Sequence, residues 1–539
     1  MNWQSYPLIR LIIPFTSGMI GANLFILHMD TEVLFILCCV VLAFSFFLVK
    51  HPHIQREGTF GIVAMMLFFL IGMTFYTGKY RHIENGIPAD STYVWGTLVE
   101  QPRKKAHSWA LELEQENGTH IIVYIGNRQK VLGNRQNEAG SQPQGLSLGD
   151  TIYAKVFHLY ATNHCKNDTF RTYNNYLFHH DICATAYAPR HRWKVSPRRT
   201  GTSLLLTAKN MQENLHKIYE EHGINDEAGS IIEAMTIGRK VNLSSETRTA
   251  YSNAGISHIL ALSGFHVGII VLMMQMFLLK SFLPFRWQWV SNLCIIAALW
   301  GYAFLTGLSP SLVRATIMFT ILLLCQFLNR EPISINGCSL AFAIMLCLNP
   351  FYLHDIGFQL SFLAVGGISL LSKKIVVLCT SSSRTIRFMW LITIIAISLI
   401  STLFTTPLVA HQFGQFSLIS PISNLLLFPL VYLLIGTSIL WWLFLWCDPI
   451  NDLLTDLLNW TASTMNNIVE WLSSLPFSTI SWRPNIFITL LCYVLLLAAS
   501  YCFLWRRVSF SFRDNQMKRR ISKSAKTTKM MHAQVVSHQ

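Results

Sequence analysis

Long apolar runs separated by short polar links dominate the chain. Read against the roughly 20 residues a helix needs to cross a bilayer, they predict spans over 8–28, 32–49, 60–78, 256–279, 288–308, 312–328, 335–349, 356–372 and 388–412. Two short spans come next within 418–447, and a last one over 485–505. That makes about twelve. Pro421 and Pro429 interrupt the pair within 418–447, and a single broken or re-entrant segment fits there equally well. Residues 79–202 depart from this pattern. Short alternating or β-branched runs at 93–99, 108–113, 120–125, 151–157 and 182–187 are set apart by turn signals such as Asn117-Gly118 and Gly149-Asp150. Five short strands suit a compact barrel of the OB type. The predicted fold is therefore a polytopic α-helical membrane protein with a small β-barrel insert.

Other stretches carry helical periodicity without the hydrophobicity of a span. Residues 203–254 contain two such amphipathic segments, and 449–478, with Trp460 and Trp471, resembles them. They suit helices lying at the membrane interface or soluble helices packed on the membrane part. The expected division is 1–78 membrane helices, 79–202 β domain, 203–254 interfacial helices, 255–505 membrane domain and 506–539 basic tail.

Composition and charge orient this layout. Hydrophobic residues make up 52% and charged residues 13%, against about 25% charged in soluble domains. Lysines and arginines gather in alternate loops: Lys50 and Arg56, Lys280 and Arg286, Arg330, Lys373 to Arg387, and the tail from Arg506. The positive-inside rule makes that side cytoplasmic and puts the β domain outside, in the periplasm or on the cell exterior. Most of the twelve cysteines lie in apolar runs, where cysteine acts as a small hydrophobe. Cys165 and Cys183, in an oxidising compartment, are candidates for a disulfide. The insert holds 16 Lys/Arg and 10 Asp/Glu, with Tyr93, Trp95, Trp109, Tyr124, Tyr153 and Tyr160 interleaved. Cationic charge with aromatic faces suits single-stranded nucleic acid. An ordinary β core under a solvated basic surface fits the same composition.

Four clusters place polar groups where hydrocarbon is expected, and such groups tend to face a bundle interior or a water-filled path. The first is His258, Ser263, Gly264 and His266. On a continuous helix the two histidines share a broad face, while Ser263-Gly264 suits a break in the helix. Interhelical hydrogen bonding accounts for the cluster as well. The second is Pro310-Ser311-Leu312-Val313-Arg314-Ala315, whose arginine suits a phosphate or an ion pair with Asp355. The third runs from Asn349 to Phe362, with Asp355 and Gln359 one turn apart. The fourth holds Thr406-Pro407, His411 and Asn424, with Pro407 expected to kink its helix. No P-loop, H-E-x-x-H, G-x-S-x-G or C-x-x-C occurs in the chain. His179-His180-Asp181 near His164, Cys165 and Cys183 invites a zinc reading, but the spacing matches no standard site. No metal and no cofactor is expected.

At these clusters the chain resembles the ComEC/Rec2 family, the inner-membrane DNA-uptake proteins of natural competence. His258-Ile-Leu-Ala-Leu-Ser263-Gly264-Phe265-His266-Val267-Gly268 is similar to that family's H-L-L-A-I-S-G-L-H-V-G. Pro310 to Ala315 resembles its P-S-x-x-R-A, and Gly357 to Phe362 its G-F-Q-L-S-F. The stretch from Thr406 through Gly414 to Asn424 and Pro429 is similar to the family's sequence beyond that motif. In the insert, Tyr173, Tyr176-Leu177 and Ile182 echo F-D-Y-x-x-Y-L-x-x-x-G-I, although Arg171 and Thr172 stand at its first two positions.

The resemblance implies an inner-membrane channel that passes single-stranded DNA to the cytoplasm. Its path would be lined by His258, Ser263, Gly264, His266, Arg314, Asp355, Gln359, Pro407, His411 and Asn424. Implied partners are single-stranded DNA, the lipid bilayer, a periplasmic DNA receptor, a cytoplasmic ATPase and single-strand-binding proteins, and a separate nuclease where that step exists. Many members continue into a metallo-β-lactamase-like domain with an H-x-H-x-D-H motif. That motif is not in this sequence, so the form without that domain is expected and no enzyme activity is assigned. Two other readings stay open from the residues alone. One is a proton-coupled secondary transporter or an exporter of a small or lipid-linked anionic substrate. The other is an intramembrane enzyme using His266 and Asp355, which requires the two to meet.

Overall fold

The computed structural model describes residues 7–25, 31–50, 59–88, 92–105, 107–126, 146–162, 168–189, 192–196, 204–278, 288–328, 335–379, 389–476 and 478–503. Among them, five helices are long and apolar enough to cross a membrane: Gly61–Glu84, Pro310–Phe327, Ile392–Phe413, Ser420–Leu443 and Ile486–Phe503. Shorter apolar helices lie at Leu8–Leu24, Thr31–Ser45, Gly264–Met276, Trp289–Leu305, Ile335–Leu348 and Ile356–Ser372. Two expectations change. The pair of short spans within 418–447 is one helix, Ser420–Leu443. Pro421 falls in its first turn, where a missing N–H costs nothing, and Pro429 is accommodated inside it. The run 256–279 is not helical throughout: its helix begins at Gly264.

The chain forms two compact units, Met1–Phe362 with Ile422–Pro476, and Leu363–Pro421 with Phe477–Gln539. In the first unit, Pro7–Phe25 and Thr59–Glu84 pack through glycine. A Cβ on Gly18 would fall within 2.0 Å of the Phe69 carbonyl oxygen, and one on Gly72 within 2.1 Å of the Phe15 carbonyl oxygen. Backbones this close are what small residues permit between membrane helices.

The insert also belongs to the first unit. Its strands are β1 (Tyr93–Leu98), β2 (Arg103–Lys104), β3 (Ser108–Glu114), β4 (His120–Gly126), β5 (Thr151–Lys155), β6 (His158–Ala161), β7 (Ile182–Ala188) and β8 (Trp193–Ser196). All five alternating runs fold as strands, since alternation is a local property of a half-buried strand. The order is β6-β7-β4-β3-β1-β5-β8, with β2 added to β3. β4 and β7 run parallel, while β1 pairs antiparallel with both β3 and β5. The helix Asp168–His179 precedes β7. Leu111, Leu113, Ile121, Val123, Ile125 and Ile152 point inward and are buried.

Four amphipathic helices complete the unit: Leu204–Glu221, Glu227–Thr236, Ser245–Asn253 and Asp448–Ser473. A buried ionic cluster holds the first two together. Glu233 accepts from His216 Nδ1 at 2.6 Å and from Arg239 Nη1 at 3.3 Å. Asp448–Ser473 buries Leu458, Ala462, Met465 and Val469 on one side and exposes Leu453, Trp460 and Trp471 on the other. That division matches a helix at an interface.

In the second unit, Leu371, Ile400 and Phe404 form a small core. Gly367 lets Phe404 approach, since a Cβ there would lie 2.6 Å from its ring. A two-stranded sheet pairs Gln415–Ser417 with Thr479–Ser481.

Candidate functional site

The first cluster is organised by the start of the helix Gly264–Leu278. Ser263 takes the capping position. Its carbonyl accepts from the His266 N–H at 3.1 Å, and its own N–H donates back to His266 Nδ1 at 3.3 Å. The Ser263 hydroxyl lies 3.0 Å from the same nitrogen. The back-bond from the Ser263 N–H to His266 is one half of a capping box, with imidazole where glutamate is usual, while the Ser263 carbonyl and not its hydroxyl takes the His266 N–H. A backbone N–H can only donate, so Nδ1 is the acceptor and the ring proton sits on Nε2. His266 is fully buried, and Nε2 has no hydrogen-bond partner among the described residues, whereas buried donors are normally satisfied. His258 lies in the turn before the helix and shares no helix face with His266. It is exposed to solvent. Gly264 is exposed, and a Cβ there would touch Ala315 at 3.7 Å; one on Gly268 would approach the Phe319 ring at 3.3 Å. The helix therefore runs beside Pro310–Phe327 in the same direction, with its N-terminus level with Ala315.

The second and third clusters meet directly. Arg314, 5% exposed in the first turns of Pro310–Phe327, donates from Nη1 to Asp355 Oδ2 at 2.7 Å. Asp355 precedes the helix Ile356–Cys379 and accepts from the Gly357 N–H at 2.9 Å through its other oxygen. Gly357 leaves room for the guanidinium, since a Cβ there would fall 2.9 Å from Nη2. Gln359 donates to the Leu353 carbonyl at 2.8 Å and so fixes the preceding turn. Of the two readings of Arg314, the ion pair is the one formed. Its Nε and the Thr316 hydroxyl are buried without a hydrogen-bond partner.

The fourth cluster divides. Pro407 and His411 lie on Met389–Phe413 in the second unit, whereas Asn424 is buried in the first. Near Pro407 the carbonyls find other donors: Thr406 Oγ1 to Thr402 at 2.6 Å, and Tyr493 Oη to Phe404 at 3.1 Å. His411 Nδ1 donates to the Pro484 carbonyl at 2.8 Å. In the insert, Cys183 is buried and unpaired among the described residues, with Sγ 3.4 Å from the Gly86 carbonyl oxygen. Cys165 lies outside them, and with it the pairing expected from the sequence.

A junction the sequence did not single out joins three parts of the first unit. Tyr76 Oη, fully buried, lies 3.0 Å from Asn23 Oδ1, 3.0 Å from His354 Nε2 and 3.5 Å from His179 Nε2. The two imidazoles sit 4.2 Å apart between centroids. Beside them Lys79 pairs with Asp181 at 2.9 Å, and Asn349 reaches the same carboxylate at 3.4 Å. The β domain is thereby keyed to the turn that ends in Asp355. His179 and His354 each appear in a sequence cluster, but only packing reveals that they meet.

Burial, with His354 close by, pushes His179 down to about 4, and burial lowers His354 as well. An unfolded imidazole takes its proton near 6.5. Each folded value lies below the unfolded one, so the junction's stability is present above about 6.5 and is lost as pH falls toward about 4. The melting temperature of the purified protein is expected to drop across that window, and His179→Phe to drop less. Parallel curves would show that the pair is not coupled to folding.

Comparison with known proteins points to the same segment. A family described as Competence protein matches residues 235–507, just over half of the chain. ComE operon protein 3 of Bacillus subtilis (strain 168) is 31% identical over 199 residues, which cover 37% of this chain and 24% of the relative. An uncharacterized protein of Aquifex aeolicus (strain VF5) is 29% identical over 228 residues, 42% of this chain and 50% of the other. The matches thus span no more than half the length of either relative. No solved structure matches the chain.

Proposed function

The chain belongs to the competence protein (ComEC/Rec2) family, and on that premise we propose that this membrane protein is an inner-membrane channel taking up single-stranded DNA in natural transformation. The β domain, outside the membrane, receives the strand. The helices of the family-matched segment form the path to the cytoplasm, where a partner ATPase or strand capture supplies the driving force. The pairing of the insert supports the OB-type reading, because β1 pairs antiparallel with both β3 and β5.

One observation carries the proposal. Where the helix Gly264–Leu278 starts beside Pro310–Phe327, His266 Nε2, Arg314 Nε and Thr316 Oγ1 are buried without a hydrogen-bond partner among the described residues. Unpaired donors at membrane depth are costly unless they face a polar path, and a polyanion cannot cross hydrocarbon without one. The exposed His258, in the turn before the helix, suits the entrance of such a path.

The test is entry of labelled DNA into the cytoplasm of cells expressing variants at normal levels. His266→Phe keeps the volume and removes the free donor, and is expected to lower entry about tenfold or more. Arg314→Ala should abolish it. Undiminished entry in both variants would sink the assignment.

A further inference from the structure

The aromatic residues interleaved with basic ones in the insert do not form one surface. Register divides them. Trp109 lies on the same side of β3 as Leu111 and Leu113 and packs against the core. Tyr124 faces outward from β4 beside Tyr173, with hydroxyls 3.3 Å apart. The outward side of β3 and β4 carries both signs of charge: Glu112 lies opposite Ile122 and pairs with His120, Glu114 lies opposite His120, and the Lys105 ammonium sits 4.8 Å from the Tyr124 centroid.

The outward surface differs where it continues past β3 onto β1, β5 and β8. β1 and β5 pair Tyr93 with Lys155 and Trp95 with Tyr153, and β5 and β8 pair Tyr153 with Lys194. Residues paired across antiparallel strands share a face, so these five side chains stand together. Tyr93 is 56%, Trp95 38% and Tyr153 49% exposed, large values for rings that strands usually bury. The Trp95 and Tyr153 rings are nearly parallel, at 18° and 6.0 Å between centroids. The Lys155 ammonium lies 5.2 Å from the Tyr93 centroid. The remaining positions of this register are Thr97, Thr151 and Ser196, of which Thr151 is buried; the nearest carboxylate on the face is Glu114 of β3, paired with Thr97 at the far end of β1 from Tyr93.

We propose that the β1–β5–β8 face is the surface that first holds the incoming single strand, without sequence preference, its bases stacking on Trp95, Tyr153 and Tyr93 and its phosphates meeting Lys155 and Lys194. Stacking is indifferent to base identity because every base has a π face, and lysines beside the rings track the backbone. Duplex DNA hides its bases and gains only the charge contacts. This deepens the uptake reading and rests on it. It also commits to different strands from β3–β4, the pair OB-type domains use for oligonucleotides.

The experiment measures binding of a fluorescent oligo-dT strand to the full chain in detergent micelles, by anisotropy across a salt series. Trp95→Ala/Tyr153→Ala is expected to weaken binding at least tenfold, and Trp95→Phe/Tyr153→Phe to restore most of it. Lys155→Gln/Lys194→Gln should flatten the dependence of log K on log salt by about 1 to 1.5. Tyr124→Ala/Tyr187→Ala, on the other aromatic surface, should bind as the parent does. A duplex of equal length should bind more weakly. Unchanged binding in the Trp95/Tyr153 double variant, a loss confined to the Tyr124/Tyr187 variant, or equal affinity for duplex overturns the proposal. DNA entry separates this from the uptake reading. If Arg314→Ala blocks entry while the Trp95/Tyr153 variant binds and imports normally, the face is wrong and the channel stands.

Discussion

Asp355→Ala is expected to cost the folded protein about 3–5 kcal/mol, because it leaves the Arg314 guanidinium buried without its counter-charge. Arg314 is 5% exposed and its nearest carboxylate is 2.7 Å away. Water cannot take over the role of that carboxylate. The same substitution removes the cap on the Gly357 N–H, which adds about 1 kcal/mol. A thermal melt in detergent, with folded protein counted by gel filtration, reads the loss. Asp355→Asn keeps the cap and loses the charge, so it should fall between parent and alanine variant. Arg314→Met/Asp355→Leu replaces the pair with apolar volume and should recover much of the stability. That double variant also separates packing from transport. If it is stable but admits no DNA, the guanidinium serves the path; if it admits DNA normally, the pair is structural only. A melt within about 1 kcal/mol of the parent for Asp355→Ala would show that the pair does not hold these helix heads together.

Gly72→Ala should be more damaging than its size suggests. The added methyl would sit 2.1 Å from the Phe15 carbonyl oxygen and 3.3 Å from the Met19 nitrogen, both backbone atoms that cannot rotate away. Gly18→Ala meets the Phe69 carbonyl at 2.0 Å from the opposite direction. The two helices must separate to admit either methyl, which exposes Phe15, Met19 and Tyr76, all buried at the contact. A loss above about 4 kcal/mol is expected, and with it nearly all folded protein in membrane fractions. Gly78→Ala on the same helix is the control, since nothing lies within 4 Å of its Cβ. Similar loss in the control would place the effect in helix propensity rather than in the contact. Tyr76 hydrogen-bonds His354, so a displaced hairpin also disturbs the turn leading into Asp355. A variant that retains folded protein should therefore still show reduced DNA entry.

The fold was legible wherever it depends on local pattern. Alternation marked β1, β3, β4, β5 and β7 within a residue or two, because one buried face imposes a period of two on its own strand. Apolar length marked the membrane helices by the same logic. Pattern failed where a helix end is set by capping. In the apolar run 256–279, Ser263-Gly264 suits a break, but the run does not show that Ser263 and His266 bond each other where the helix starts at Gly264. It failed again at Pro429, which reads as a break and lies within a continuous helix. β2, β6 and β8 are two to four residues long, too short for a period to register.

The candidate site was half legible. The sequence by itself determined which residues are out of place: His266, Arg314 and Asp355 are conspicuous because ionisable groups in apolar runs carry a solvation cost. It also determined the chemistry available to the β domain, rings and lysines in alternation. The tertiary structure alone decided which atoms meet. Arg314 and Asp355 are 41 residues apart, and Tyr76 and His354 are 278 apart. Register alone turned Trp109 inward and set Trp95 beside Tyr153. The physical reason is the same in each case. Hydrophobic period and solvation cost belong to a residue and its near neighbours, whereas a salt bridge, a glycine contact or a stacked pair belongs to two backbones that only the packed fold brings together.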